Sequence, residues 1–137
     1  MSQRVLITAG AAGIGRESAR AFAATGAKIF TCDIDDKGLD ALAKEIPGLV
    51  KQRSDMSSRA EIERMVPAAI KALGGLDVLV NNAGIAGLTL PVDQYPADDW
   101  DKVVAVNLTA MFDVCRLAIP ALKQSKAGSA GGVPPPT

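Results

Sequence analysis

The chain has 137 residues, 48% of them hydrophobic, and its 15 basic and 15 acidic side chains cancel. That length fits one domain, and the charge balance argues against nucleic acid or an anionic membrane as the main partner. With no histidine, the commonest general base and metal ligand is missing, so no metal is expected and acid–base chemistry falls to Tyr, Lys or carboxylates.

A small molecule is the expected partner. No apolar run approaches the roughly 18 residues of a membrane span, and Met1 to Arg4 lead into the first strand without a signal-peptide core, so a cytoplasmic chain is expected. Cys32 and Cys115 have neither metal nor redox spacing and are read as reduced core residues.

Strand and helix patterns then alternate, the signature of βαβ units and a parallel sheet. Arg4-Val5-Leu6-Ile7-Thr8 suits a strand covered on both faces. It runs through Thr8-Ala9-Gly10-Ala11-Ala12-Gly13-Ile14-Gly15, a loop with almost no side chains, into a helix with Ile14, Ser18 and Phe22 on one face and Gly26 at its end. Glycines there let backbone approach a pyrophosphate, whose charge meets free N–H groups and the helix dipole. An ordinary tight turn is the competing reading.

The second strand, Lys28 to Cys32, ends at Asp33, 20 residues beyond Gly13. At about that offset a carboxylate accepts hydrogen bonds from an adenosine ribose, and its charge opposes the 2′-phosphate of NADP, so NAD is favoured. Alternatively Asp33, with Asp35 and Asp36, only begins the next helix, Lys37 to Glu45.

After Pro47-Gly48, residues Leu49 to Ser54 form a more polar strand suited to a sheet edge, followed by Asp55-Met56. Asp55 can accept from an adenine amino group or cap the helix that starts near Ser58. In that helix Ile62, Val66, Ala69, Ile70 and Leu73 make an apolar stripe, with a kink expected at Pro67. Gly74-Gly75 precede a fourth strand, Leu76 to Val80, which runs into Asn81-Asn82-Ala83-Gly84. Amides at the carboxyl end of a central strand face the ligand crevice of an open sheet, or pin a loop there.

A loop of small residues with Pro91 and Pro96 leads to Asp98-Asp99-Trp100 and another helix, where Trp100, Val103, Val104 and Val106 read as packing residues. Leu108, Met111, Phe112, Cys115, Ile119 and Leu122 then suggest a long helix burying that face. Asn107, at the junction, reads first as a cap, with a kink or a site residue as alternatives. Residues 125–137, with three successive prolines, cannot be a central strand and read as a Gly/Pro-rich disordered tail to a domain of residues 1–124.

From Val5 to about Gln124 the sequence resembles the short-chain dehydrogenase/reductase family. The family's Thr-Gly-x-x-x-Gly-x-Gly is met at Thr8, Gly13 and Gly15, with Ala9 in place of the first glycine and Gly10 one place later. Asp55 and Asn81 to Gly84 match its adenine-side Asp and Asn-Asn-Ala-Gly signature, and Asp33 resembles the ribose-binding acid of NAD-preferring members. Asp98-Asp99-Trp100-Asp101 and Val106-Asn107-Leu108 resemble the helices leading to the catalytic Asn.

The resemblance implies a Rossmann-type, doubly wound α/β sheet, cut off after about four strands and the long helix. It implies NAD(H) held by Thr8, Gly10, Gly13, Ile14, Gly15, Asp33, Ile34, Asp55, Met56, Asn82, Ala83 and Gly84, and hydride transfer with an alcohol or carbonyl substrate. Of the family's catalytic Asn, Ser, Tyr and Lys, only Asn107 is matched. The sole tyrosine, Tyr95, is followed four residues later by Asp99 where the family has Lys. A phenol of ordinary pKa, about 10, needs a cationic neighbour to work at neutral pH. The expectation is an oxidoreductase by descent that is inactive alone, with an exposed fourth strand and a long helix prone to self-association. A non-catalytic dinucleotide-binding module and a non-functional truncation product are the alternatives.

Overall fold

Val5, Leu6 and Ile7 are all fully buried, because the strand they occupy, β1 (Arg4–Thr8), lies in the middle of a sheet covered on both faces. The structure is a computed structural model that describes residues 2–126 and 129–132. Around β1 run α1 (Gly13–Ala24), β2 (Lys28–Asp33), α2 (Asp36–Glu45), β3 (Val50–Arg53), α3 (Arg59–Leu73) and β4 (Val78–Asn81). A short 3-10 turn (Val92–Gln94) then precedes α4 (Ala97–Val104), a π-helical turn (Ala105–Thr109), α5 (Ala110–Gln124) and β5 (Ser129–Gly132).

All strand pairs are parallel, in the order β3-β2-β1-β4-β5. The period of two along each strand divides the core. Val5, Ile7 and Ile29 pack with Ala19 and Leu42 of α1 and α2, while Leu6, Phe30 and Cys32 pack with Ile62, Val66, Val114 and Ala118 of α3 and α5. This is the expected doubly wound sheet, and β3 takes the expected edge. Gly26 has φ +82° just past α1, as its position requires. The α1 face turned to the sheet is led by Gly15 and Ala19, and Ile14 is exposed.

The tail expected at 125–137 begins differently. Ser125 Oγ donates to Asp77 Oδ1 at 2.6 Å, and Ser129–Gly132 pair with Val78–Asn81 as β5, so β4 is not the sheet edge. Strand pairing is a backbone property, and the open side of β4 accepts even a small-residue segment that has no side-chain signal of its own. Residues 127–128 and 133–137, where the rest of that expectation falls, lie outside the described residues.

The packing of the long helix also departs from the sequence reading. Val106, Ala110, Asp113, Val114, Ala118 and Leu122 are buried, while Leu108, Phe112 and Ile119 are 67%, 60% and 40% exposed and Trp100 is 63% exposed. The π-helical turn inserts one residue, rotating everything after it by about 100° relative to a count at 3.6 residues per turn. Ala110, Val114, Ala118 and Leu122 therefore meet the core, and Leu108, Phe112 and Ile119 face outward. Because the turn joins α4 and α5 without a break, Ala97–Gln124 is long and apolar enough to cross a membrane by length and composition, although 28% of its most apolar window is buried in the fold. α3 carries the expected stripe together with Met65, and it continues through Pro67, whose ring lies on the exposed side.

Candidate functional site

The carboxyl ends of β1, β2 and β4 converge on the stretch from Thr8 to Gly15, and its three glycines do different work. A Cβ on Gly10 would lie 2.0 Å from Thr31 Oγ1, so this glycine lets the loop rest on β2, where Gly10 N donates to Cys32 O at 3.2 Å. A Cβ on Gly15 would lie 2.3 Å from Ala9 O and 2.4 Å from Asn82 Nδ2, so this glycine admits the helix against the loop. Gly13 alone of the three combines a left-handed φ, +56°, with open space where its Cβ would stand. Of the three glycines expected to form a pyrophosphate cradle, Gly13 alone leaves open space beside the first turn of α1; Gly10 and Gly15 are close-packing positions.

Ala9, standing where the family pattern has glycine, is the only non-glycine among the described residues with positive φ, +58°. The loop keeps the glycine-type conformation despite the methyl group, which costs roughly 1–2 kcal/mol. Bonds on both sides hold it there. Asn82 Nδ2 donates to Ala9 O at 3.0 Å, and Thr8 Oγ1 accepts from both Asn82 N and Ala83 N at 3.0 Å. Thr8, Asn82 and Ala83 are therefore brought together, and Asn82 does pin the loop. Asn81 is buried and donates from Nδ2 to Cys115 Sγ at 3.2 Å.

Asp33 closes the loop from the other side. Its Oδ2 accepts from Ala11 N at 3.0 Å and its Oδ1 from Asp35 N at 3.1 Å. Asp35 is the cap of α2, accepting from Gly38 N, so Asp33 does not merely begin that helix. The carboxylate keeps further lone pairs that can accept hydrogen bonds. Ile34 beside it is 59% exposed and Ile14 at the head of α1 is 60% exposed, leaving apolar surface at the two ends of the loop.

Asp55 does not cap α3 either. Ser58 does, accepting from Glu61 N, while Glu61 Oε1 reaches past the Ser58 N–H and accepts from Asp55 N at 3.2 Å, so only the Ser58 half of a capping box is formed. The Asp55 carboxyl is held below the usual carboxylate range, first by the Ser57 hydroxyl at 2.7 Å and then by Ser57 N at 2.9 Å, both on Oδ1. The Met56 side chain lies in the core, its Sδ 3.9 Å from Cys32 Sγ, so only its backbone is available to the site. Burial pushes the Cys32 thiol up to about 12, consistent with an inert core cysteine.

Asn107 caps nothing. It stands in the π-helical turn and clasps the loop after β4: Oδ1 accepts from Ile85 N at 2.7 Å and Nδ2 donates to Ile85 O at 2.8 Å. Gly84 lies in the same contact, its Cβ position 3.4 Å from Asn107 Oδ1. Tyr95 holds the next turn of that loop, its hydroxyl accepting from Leu88 N at 3.1 Å.

Sequence reasoning passed over Arg16, which follows Gly15 in the first turn of α1. Its Nε is buried without a hydrogen-bond partner. The available signal was its position: residues 16 and 20 share the α1 face that meets α2, where Arg20 pairs with Glu45.

A parallel sheet of this strand order, with a glycine loop opening α1 and an acid closing β2, defines a Rossmann-type nucleotide-binding domain. The chain matches the model of the short chain dehydrogenase family over residues 3–130, and it belongs to that family of oxidoreductases. It is 40% identical over 129 residues to D-beta-hydroxybutyrate dehydrogenase of Cupriavidus necator, covering 90% of this chain and 49% of that protein. It is 37% identical over 128 residues to 3-oxoacyl-(acyl-carrier-protein) reductase of Thermotoga maritima, covering 90% and 52%. Among solved structures, a 3-ketoacyl-(acyl-carrier-protein) reductase from Brucella melitensis complexed with NADH superimposes with TM-score 0.83 at 32% identity, covering 89% of this chain and 51% of that one. A metagenomic short-chain oxidoreductase in complex with NADP gives TM-score 0.89 at 30% identity, covering 95% and 60%. The chain thus spans about half the length of the curated relatives it matches.

Proposed function

We propose that this chain is the NAD(H)-binding half of a short-chain dehydrogenase, holding the dinucleotide across the carboxyl ends of β1, β2 and β4. The observation that carries the reading is Gly13: a left-handed residue at a helix N-terminus with open space before it, at the end of a loop locked by Asn82 and Asp33. The residues present fit such a group. Gly13 and the free N–H groups of the first turn of α1 meet the pyrophosphate, Asp33 accepts from the adenosine ribose hydroxyls, and Asp55 accepts from the adenine amino group. The Asp33 charge opposes a 2′-phosphate, which favours NAD. When bound, the nicotinamide supplies the hydride acceptor or donor for an alcohol or carbonyl carbon.

Among the described residues no Tyr–Lys pair is placed to move the accompanying proton. The Tyr95 hydroxyl is engaged by Leu88 N, Asp99 stands four residues on, and both hydrogen-bonding ends of the Asn107 amide are given to Ile85. We infer that the chain binds the dinucleotide without turning over substrate by itself. A fluorescence titration with NADH tests the binding: saturation in the native chain and its loss in Gly13→Val support it, and no saturation removes it. A hydride-transfer assay with a panel of alcohols and ketones tests the rest, since turnover by this chain that survives Asn107→Ala contradicts the inferred inactivity.

A further inference from the structure

The chain beyond α5 meets β4 at both of its ends. At the amino end, the Asp77 carboxylate accepts from Arg4 N at 2.8 Å, from Arg4 Nε and Nη2 at 3.0 Å each, and from Ser125 Oγ at 2.6 Å. One side chain thus fastens the start of β1, the start of β4 and the exit of α5. Further on, β5 runs parallel along β4, from Ser129 opposite Val78 to Gly132 opposite Asn81. The β1 ladder stops at Val80, opposite Ile7, so among the described residues Gly132 is the one strand partner of Asn81.

β5 has little of its own to hold it there. Its sequence is Ser-Ala-Gly-Gly, and a Cβ on Gly131 would meet nothing within 4 Å. Its attachment rests on the backbone ladder and on the Ser125–Asp77 bond at its root, a few hydrogen bonds of modest net worth. Yet the residues it steadies carry the lock of the glycine loop. Asn82, next after Asn81, donates to Ala9 O, and Asn82 N and Ala83 N both donate to Thr8 Oγ1.

We propose that β5 is a strap on the dinucleotide site, with the Ser125–Asp77 bond as its latch: docked, it holds Asn81 and so fixes Asn82 and Ala83 against the glycine loop, and lifted, it loosens that lock. Coupling between two equilibria is reciprocal, so a bound dinucleotide holds the strap down by the same factor by which the docked strap tightens binding. This inference rests on the dinucleotide-binding reading above.

Amide hydrogen exchange of the whole chain by NMR, with and without saturating NADH, tests it. Relative to their intrinsic rates, residues 129–132 of the native chain are expected to exchange at least about a hundredfold faster than Val5 to Ile7, through an opening that leaves β1 closed. Ser125→Ala is expected to speed exchange at 129–132 about tenfold, the effect of one hydrogen bond. Saturating NADH is expected to slow it about fivefold or more. Combining Ala130→Pro with Gly131→Pro lifts the strap, because successive N–H groups of a strand point to opposite sides and one of these two faces β4. That variant is expected to bind NADH more weakly by the same factor as NADH slows the exchange of the native strap. Exchange at 129–132 that matches β1, that ignores Ser125→Ala or that ignores bound NADH overturns the proposal, as does unchanged NADH affinity in the proline variant; NADH binding by the native chain leaves the broader reading standing in each case. Should the proline variant fail to fold, the exchange rates of the native and Ser125→Ala chains with and without NADH decide alone. Absence of NADH binding by the native chain removes both readings together.

Discussion

Asn82 Nδ2 donates to the carbonyl of Ala9 at 3.0 Å, joining the end of β4 to the one left-handed alanine of the glycine loop. Gly15 makes the contact possible, because a side chain there would occupy the space of both partners. The loop's shape is thus set from outside, by β4 and by Asp33, and not by loop composition alone.

Ala9 is a strained position that a glycine would relax. Ala9→Gly is expected to stabilise the chain by about 0.5–1 kcal/mol, the relief of left-handed strain less the added freedom of glycine in the unfolded state. Thermal denaturation would show this as a rise of a few degrees in Tm. An unchanged or lowered Tm would mean that the methyl group makes compensating contacts.

Asn82→Ala removes the bond to Ala9 while leaving the backbone bonds to Thr8 intact. A loss of about 1–2 kcal/mol in stability is expected, with a larger relative loss in NADH affinity because the loop then samples other conformations. Gly15→Ala is expected to be worse, since its Cβ would meet backbone 2.3 Å away, and denaturant unfolding of both variants orders them.

Much of this was legible in the chain itself. The alternation of strands and helices, the edge position of β3 and the placing of Asn81-Asn82 at the carboxyl end of a central strand all follow from patterns of burial and turn residues. Two features were not. The π-helical turn at Ala105–Thr109 has no sequence signature in a periodicity count, and within α5 the small Ala110, Val114 and Ala118 take the buried face, which a count of large apolar residues such as Phe112 misses. β5 is built from Ser, Ala and Gly, whose side chains carry no strand signal; its place comes from the backbone groups that β4 leaves open. Within the site, sequence spacing placed Asp55 near a cap, and only geometry shows that Ser58 takes that role.

At the opposite end of the sheet, Arg4 and Ser125 hold the Asp77 carboxyl well below the usual carboxylate range, the Arg4 guanidinium contributing most. A carboxyl whose pKa is depressed by folding adds stability above its unfolded value, about 3.9, and that contribution is lost as pH falls through the lower folded value. Asp77→Asn is therefore expected to lower Tm at pH 7 and to differ less from the native chain near pH 2. Equal differences at both pH values would show that the carboxylate's charge plays no part.

Asn107→Ala frees both the N–H and the carbonyl of Ile85. Faster amide hydrogen exchange is expected at Ile85 and its neighbours, with the exchange of β1 unchanged, because the clasp is local. Uniformly faster exchange would show instead that the π-helical turn depends on Asn107 for the whole fold.

The most direct test of the account is a crystal structure of this chain with NADH. The account expects the pyrophosphate against Gly13 and the first turn of α1, the adenosine ribose on Asp33 and the adenine beside Asp55. A dinucleotide bound elsewhere, or lying across the sheet with its ribose away from Asp33, would contradict it.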